Sequence, residues 1–307
     1  MAPHIELNDG NQIPMVALGT GRMTAAGASN DEVRDAVLWA IEAGYRHIDT
    51  AAIYGDEGEV GQGIADAIQK GIVTRKELFI TTKLWNDKHA RDMVVPALKE
   101  SLKRLGLEYV DLYLIHFPVA VKSDDSPDNI DYLDTWKGME DAKQLGLAKS
   151  IGVSNFNQTQ IDRLVANSKV KPAVNQIEVN PTLTQEPLVS HCQALGIAVM
   201  AYSPFGFLVT RKSEMAPPPR VDDPALVKIA DKYGKSTAQI VLRYLVERGL
   251  IPIPKSTNKE RIKQNIDLFN FKLTKEEMET INKFNKNIRV VSTPFWRDYP
   301  NFPFERT

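Results

Sequence analysis

Four titratable side chains sit at or just past the ends of apolar runs. Asp49 closes "YRHID", Lys83 closes "LFITTK", His116 closes "VDLYLIH", and Tyr54 follows Asp49 by five residues in "GYRHIDTAAIYGDE". A carboxylate, an ammonium, an imidazole and a phenol are groups that donate, accept or stabilise a proton in transit. Singly, each has a bland account: a strand-end lysine is usually a solvated head, and a lone histidine is more often a satisfied core residue. Three coincident strand ends strengthen the joint case for a catalytic cluster.

The elements that must deliver these residues alternate along the chain. Eight β-rich runs, "MVALGTG", "YRHIDTA", "LFITTKLW", "VDLYLIHFP", "KSIGVSNF", "AVNQIEVNP", "IAVMAYSPF" and "LIPIPKST", are separated by amphipathic stretches. Examples of the latter are "SNDEVRDAVLWAIEAG", "HARDMVVPALKESLKRLG", "NIDYLDTWKGMEDAKQLG" and "TQEPLVSHCQALG", several opening on a capping residue and closing on glycine. The strands are nearly continuous apolar runs, as in a parallel sheet covered on both faces. Eight βα units in about 300 residues match an α/β fold closed as a (β/α)8 TIM barrel better than an open doubly wound sheet. "HIELNDGNQIPM" predicts an N-terminal β-hairpin that plugs one barrel end. Two long irregular stretches, "PVAVKSDDSPD" and "GFLVTRKSEMAPPPRVDDP", follow strand C-termini and overhang the C-terminal face, where barrels gather their catalytic groups. The tail "RVVSTPFWRDYPNFPFERT" either folds over that mouth or straps the barrel wall.

Bulk properties narrow the function classes. The 307 residues carry a net charge of -1 with a pI near 6.5, which lacks the basic field of nucleic-acid or anionic-lipid binders. No Pro/Gly/Ser-rich linker divides the chain, so a single domain over 1–307 is expected. Cys192 is the one cysteine, which rules out an internal disulfide and a multi-thiolate zinc site. No window approaches the roughly 20 apolar residues of a membrane span, and the N-terminus lacks a secretory pattern. A soluble, cytoplasmic, monomeric protein is the expectation. A dinucleotide-binding Gly-x-Gly-x-x-Gly is missing: "GTGRMT" has Thr24 at its last position and "GDEGEVGQG" has the wrong spacing.

The segments "GYRHIDTAAIYGDEGEVG", "TTKLW", "DLYLIHFP", "IGVSNF", "NQIEVNP", "YSPFG" and "IPKSTNKERIKQN" resemble, in this order, those of the aldo-keto reductases of the aldose-reductase-like branch. The resemblance spans essentially the whole chain and extends to the insect 3-dehydroecdysone reductases within that branch. It implies a catalytic tetrad of Asp49, Tyr54, Lys83 and His116 reducing a carbonyl by hydride transfer. In that reading Tyr54 donates the proton, and the Lys83 ammonium draws the phenol's pKa toward working pH. Asp49 keeps Lys83 charged and aimed, and His116 orients the carbonyl oxygen.

The resemblance further implies NADPH/NADP as cofactor and no metal. Ser154, Asn155 and Gln176 would hold the nicotinamide carboxamide and Tyr202 would stack on the ring. Gly19, Thr20, Gly21 and Asp49, with Ser203 and Phe205, would line the cofactor's path. Lys255, Ser256, Thr257, Asn258 and Arg261 would hold the 2′-phosphate, since a helix-start loop with two cations suits a phosphate better than a bare ribose. Gln264 and Asn265 fall where the family contacts adenine, with Gln264 replacing the commoner acidic residue. Substrate walls are expected from Ile53, Tyr54, Trp85, His116, Phe117 and Trp296. Gly21 stands where many relatives carry tryptophan, which implies a pocket wide enough for bulky, steroid-like carbonyls. Two alternatives stay open at this level: a structural or binding protein on the same barrel, and an NADP-dependent alcohol dehydrogenase working oxidatively.

Overall fold

The computed structural model describes residues 2–21, 31–209 and 216–305. Eight parallel strands follow one another in chain order: β3 Leu18–Gly19, β4 His47–Asp49, β5 Phe79–Leu84, β6 Val110–Ile115, β7 Ala148–Ser154, β8 Val174–Glu178, β9 Ala198–Tyr202 and β10 Ile251–Pro252. A parallel bridge between Gly19 and Lys255 joins the last strand to the first. The Ala17 and Gly19 N–H groups donate to the Pro252 and Pro254 carbonyls at 3.1 and 3.0 Å across the same seam. The barrel expectation holds, with each of the eight quoted runs supplying one strand. The antiparallel hairpin β1 His4–Glu6 and β2 Gln12–Pro14 precedes them. Its turn places Gly10 at φ 85°, a backbone region that favours glycine.

Strand parity explains why the apolar runs are continuous. On β5, Phe79 joins an inner cluster with Leu112, Leu114, Val174, Met200 and Ile251. The intervening Ile80 and Leu84 join the larger cluster formed with the helices. β6 repeats the pattern, with Tyr113 and Ile115 in the helix-facing cluster. Leu7 and Ile13 of the hairpin segment belong to the inner cluster, so the hairpin closes the barrel end where the strands begin. Following the inward parity along β4, β5 and β6 leads to Asp49, Lys83 and His116 at the opposite end.

The helices between the strands include α1 Glu32–Glu42, α2 Glu57–Gln69, α3 Arg91–Leu105 and α4 Tyr132–Gln144, with α5 Gln158–Asn167 and α6 Glu186–Ala194 following. Then come α7 Pro224–Tyr233, α8 Thr237–Glu247, α9 Lys259–Ile266 and α10 Lys275–Asn282. Capping chemistry sets several ends: Asp131 accepts from Leu133 N–H to start α4, and Gly106 at φ 65° stops α3. Helix α6 departs from that pattern, because its N-cap is Gln185 at φ 47° and makes no side-chain cap. Part of the expected loop after β9 and the start of the stretch before α1 lie outside the described residues. No described helix is long and apolar enough to cross a membrane.

Candidate active site

The four strand-end residues meet at one end of the barrel. Lys83, fully buried, donates to Asp49 Oδ1 at 2.6 Å and to the Thr50 carbonyl at 2.9 Å. Its Nζ lies 3.4 Å from the Tyr54 hydroxyl. The second Asp49 oxygen accepts from Gln176 Nε2 at 2.8 Å, so both carboxylate oxygens are engaged. Tyr54 closes a short 3-10 turn, Ala52–Tyr54, that ends on Gly55 at φ 69°. The His116 ring stands 5.7 Å from the Tyr54 ring, edge to face, and stacks on Phe117 at 5.5 Å.

The electrostatics follow from burial and proximity. Burial alone would push the Lys83 pKa down, but the Asp49 carboxylate and the Tyr54 phenol together raise it above the ordinary lysine value. Lys83 is therefore an ammonium. Burial raises the Tyr54 pKa, Lys83 pulls it back, Asp49 adds to the rise, and the net displacement is upward. The ammonium does draw the phenol down, as expected, but in the protein alone desolvation outweighs the cation, and Tyr54 keeps its proton. Burial, reinforced by Lys83, holds His116 well below the ordinary imidazole value, so its ring is neutral. His116 Nδ1 is buried and has no hydrogen-bond partner.

A cavity of ≈ 390 Å³ opens in front of this cluster. Asp49, Tyr54, His116 and Phe117 line one part of it; Ser154, Asn155, Gln176 and Tyr202 line another; Gly19, Gly21, Ser203, Phe205 and Lys255 complete the run to the seam. The polar set is knitted together. Tyr202 donates to Asn155 Oδ1 at 2.7 Å, Asn155 Nδ2 donates to the His116 carbonyl at 2.9 Å, and Ser154 Oγ donates to the Gln176 carbonyl at 2.7 Å. Asn155 and Ser203 hold φ of 62° and 46°, strained for non-glycine residues and clustered at strand ends as functional positions tend to be.

The residues expected at the phosphate end lie together around the start of α9. Asn258 caps it by accepting from Arg261 N–H at 2.9 Å, and Ser256 Oγ accepts from Asn258 N–H at 3.1 Å. Arg261 and Gln264 are exposed, Thr257 is half-buried and Asn265 is buried. Only Lys255 of this group reaches the cavity wall. Thr20 is 3% exposed and its Oγ1 has no hydrogen-bond partner.

The aromatic residues are placed unevenly. Trp296, from the tail, is buried with ring centroids 5.1 Å from Phe117 and 5.7 Å from Trp85. The tail therefore crosses the mouth, and Val291 enters the cavity wall. Trp85 and Ile53 line a separate depression of ≈ 190 Å³ beside it, and Ile53 is 48% exposed. The sequence reading missed Val291 and the buried Glu178. The signal for Glu178 is its parity with Gln176 in "NQIE", two residues farther along β8.

The sequence of residues 15–286 matches the aldo/keto reductase family. The chain belongs to the aldo/keto reductase family. Its relatives include the silkworm Bombyx mori aldo-keto reductase AKR2E4, 73% identical over 303 residues and 98% of each chain. Gallus gallus aldo-keto reductase family 1 member A1 is 41% identical, over 98% of this chain and 97% of the relative. Among solved structures, Bombyx mori AKR2E4 in complex with NADP superposes with a TM-score of 0.97 at 72% identity, covering 99% of both chains. Aldo-keto reductase AKR2E5 complexed with NADPH gives 0.98 at 44% identity, over 100% of this chain and 95% of the other. As a member of the family, this aldo/keto reductase is an oxidoreductase.

Proposed function

We propose that this aldo/keto reductase reduces aldehydes and ketones to alcohols with NADPH, favouring hydrophobic, bulky carbonyls of steroid-like shape, 3-dehydroecdysteroids among them. The observation that carries the reading is the buried Lys83 ammonium held by Asp49 at 2.6 Å and lying 3.4 Å from the Tyr54 hydroxyl, with neutral His116 on the same cavity. Tyr54, protonated at rest, delivers its proton to the carbonyl oxygen as negative charge develops there. Lys83 stabilises the phenolate left behind, and its pairing with Asp49 keeps that charge in place. His116, being neutral, offers a hydrogen bond to the same oxygen and orients it without bringing a second cation beside Lys83.

Bound NADPH would supply the hydride that no side chain provides. The residues fit such a cofactor. The cavity runs from Tyr54 to Lys255, Thr20 presents an unpartnered buried hydroxyl, and the amide and hydroxyl groups of Ser154, Asn155 and Gln176 suit a neutral carboxamide. Lys255 and Arg261 at the start of α9 suit a 2′-phosphate. The bound NADP and NADPH of the two structural relatives support the same cofactor here. Breadth toward bulky substrates is supported by Gly21, which leaves its part of the wall without a side chain, and by the apolar Phe117, Val209 and Val291. A monomer working in the cytoplasm as one domain completes the reading.

Loss of NADPH absorbance with an aromatic aldehyde tests it. Turnover by the unaltered protein should fall about 10²- to 10⁴-fold in Tyr54→Phe with NADPH binding retained, because only the transferable proton is gone. Full activity in Tyr54→Phe would remove the proton-donor role. No turnover across a panel of aldehydes and ketones would favour a structural role for the barrel.

A further inference from the structure

Glu178 is a buried charge that the reaction does not use. It ends β8, is fully buried, and forms no ion pair among the described residues. A carboxylate stripped of water without a cation partner is costly unless hydrogen bonds satisfy its oxygens. Both are satisfied, mainly by the tail: Oε1 accepts from Val290 N–H at 2.7 Å and from Asn180 Nδ2 at 3.1 Å, and Oε2 accepts from Val291 N–H at 2.9 Å. All three donors meet acceptor-only oxygens, which calls for the ionised form. Burial moves the Glu178 pKa upward, the two tail N–H groups, with Arg289 and Asn180, pull it only part of the way back, and the net displacement is upward.

The tail held in this way contributes one wall of the cavity. Val291 lines the same cavity as Tyr54 and His116, and Trp296, five residues on, backs Phe117. Among the described residues, the tail-to-barrel hydrogen bonds between residues 289 and 298 are those of Val290 and Val291 to Glu178 and that of Arg289 to Gln185 at 3.5 Å. The Glu178 pair is shorter and charge-assisted, so it fixes the wall more firmly. We infer that Glu178 is a positioning residue for the substrate: its carboxylate clamps the backbone of Val290 and Val291 and thereby sets the wall that bulky carbonyls pack against.

The inference rests on the carbonyl-reductase reading, and its test separates the two. Glu178→Gln keeps one acceptor oxygen but turns an amide N–H₂ toward a tail N–H. KM for a bulky apolar ketone should rise about tenfold, as loss of one charge-assisted bond implies, with kcat changed less than threefold. The NADPH Kd should be unchanged, and KM for a small aldehyde that does not reach the tail should move little. Glu178→Asp, which keeps both acceptor oxygens, should recover part of the loss. Unchanged KM for the bulky ketone, or equal losses in KM, kcat and NADPH binding, would overturn the clamp. A second readout needs no variant: in the unaltered protein the Val290 and Val291 amides should exchange more slowly than those of residues 292, 293 and 295. Equal exchange across the segment would also overturn it. If the unaltered enzyme turned over no carbonyl, the functional reading would fall, and the exchange pattern would still decide whether the clamp exists.

Discussion

Among single residues, Gly21 makes the sharpest demand. A Cβ built there would lie 3.1 and 3.2 Å from two carbons of the Tyr54 ring, tighter than ordinary packing, so the ring would have to yield by a few tenths of an ångström. Any side chain at this position therefore acts in two ways, by filling the cavity and by moving the proton donor. Gly21→Ala isolates the second effect and should lower kcat modestly and alike for all carbonyls. Gly21→Trp adds the first, and relative to alanine it should lose turnover of the bulkiest ketones about tenfold or more while sparing small aldehydes. A steady-state comparison across both variants checks this, and parallel losses on small and bulky substrates would refute the width argument. The identities of Asp49, Tyr54, Lys83 and His116 were legible as strand-end residues. Their distances were not, because each comes from a different strand or from the turn that follows one.

Within the elements, the buried His47 and His89, like His116 at the site, tie the barrel to pH. His47 on β4 sits 2.9 Å from Thr81 Oγ1, and His89, after β5, is buried with neither ring nitrogen hydrogen-bonded. Burial lowers both pKa values to about 3 from an unfolded value of 6.5. The unfolded chain therefore takes up protons that the folded one refuses as pH falls. The stability contributed by the neutral rings is whole above pH 6.5 and is lost progressively toward pH 3, at about 1.4 kcal/mol per pH unit for each ring. Urea unfolding at pH 7, 6 and 5 should show this slope, and His89→Leu should reduce it by about one histidine's share. An unchanged slope in that variant would mean His89 is not the desolvated ring described above. At the start of α6, Gln185 adopts φ 47° and donates its Nε2 to the Glu178 carbonyl at 2.6 Å, so its side chain is engaged with β8 and does not cap the helix.

Across the whole molecule, the weak line is the seam where the barrel closes. Strands β3 and β10 are two residues each, against six for β5 and β6. Gly19 and Gly21 lie on one side of that seam and Lys255 on the other, all on the cavity. A cofactor filling the cavity would span the joint and bind only the closed barrel. NADPH at about 100 times its Kd should add roughly 2.7 kcal/mol of stability and slow amide exchange at Ala17 and Gly19 more than on β5 and β6. Uniform protection, or none at the seam, would contradict that. The sequence by itself determined the eight βα repeats, the hairpin, the family and the four strand-end groups, because periodicity, turn chemistry and residue type are local and additive. It could not determine which parity of each doubly buried strand faces inward, since both faces are apolar, nor that burial would outweigh Lys83 at Tyr54. It also left open the side of the barrel on which the tail would lie. Those depend on desolvation and on contacts between residues more than a hundred positions apart, such as Glu178 with Val290, and only the closed tertiary structure brings such groups together.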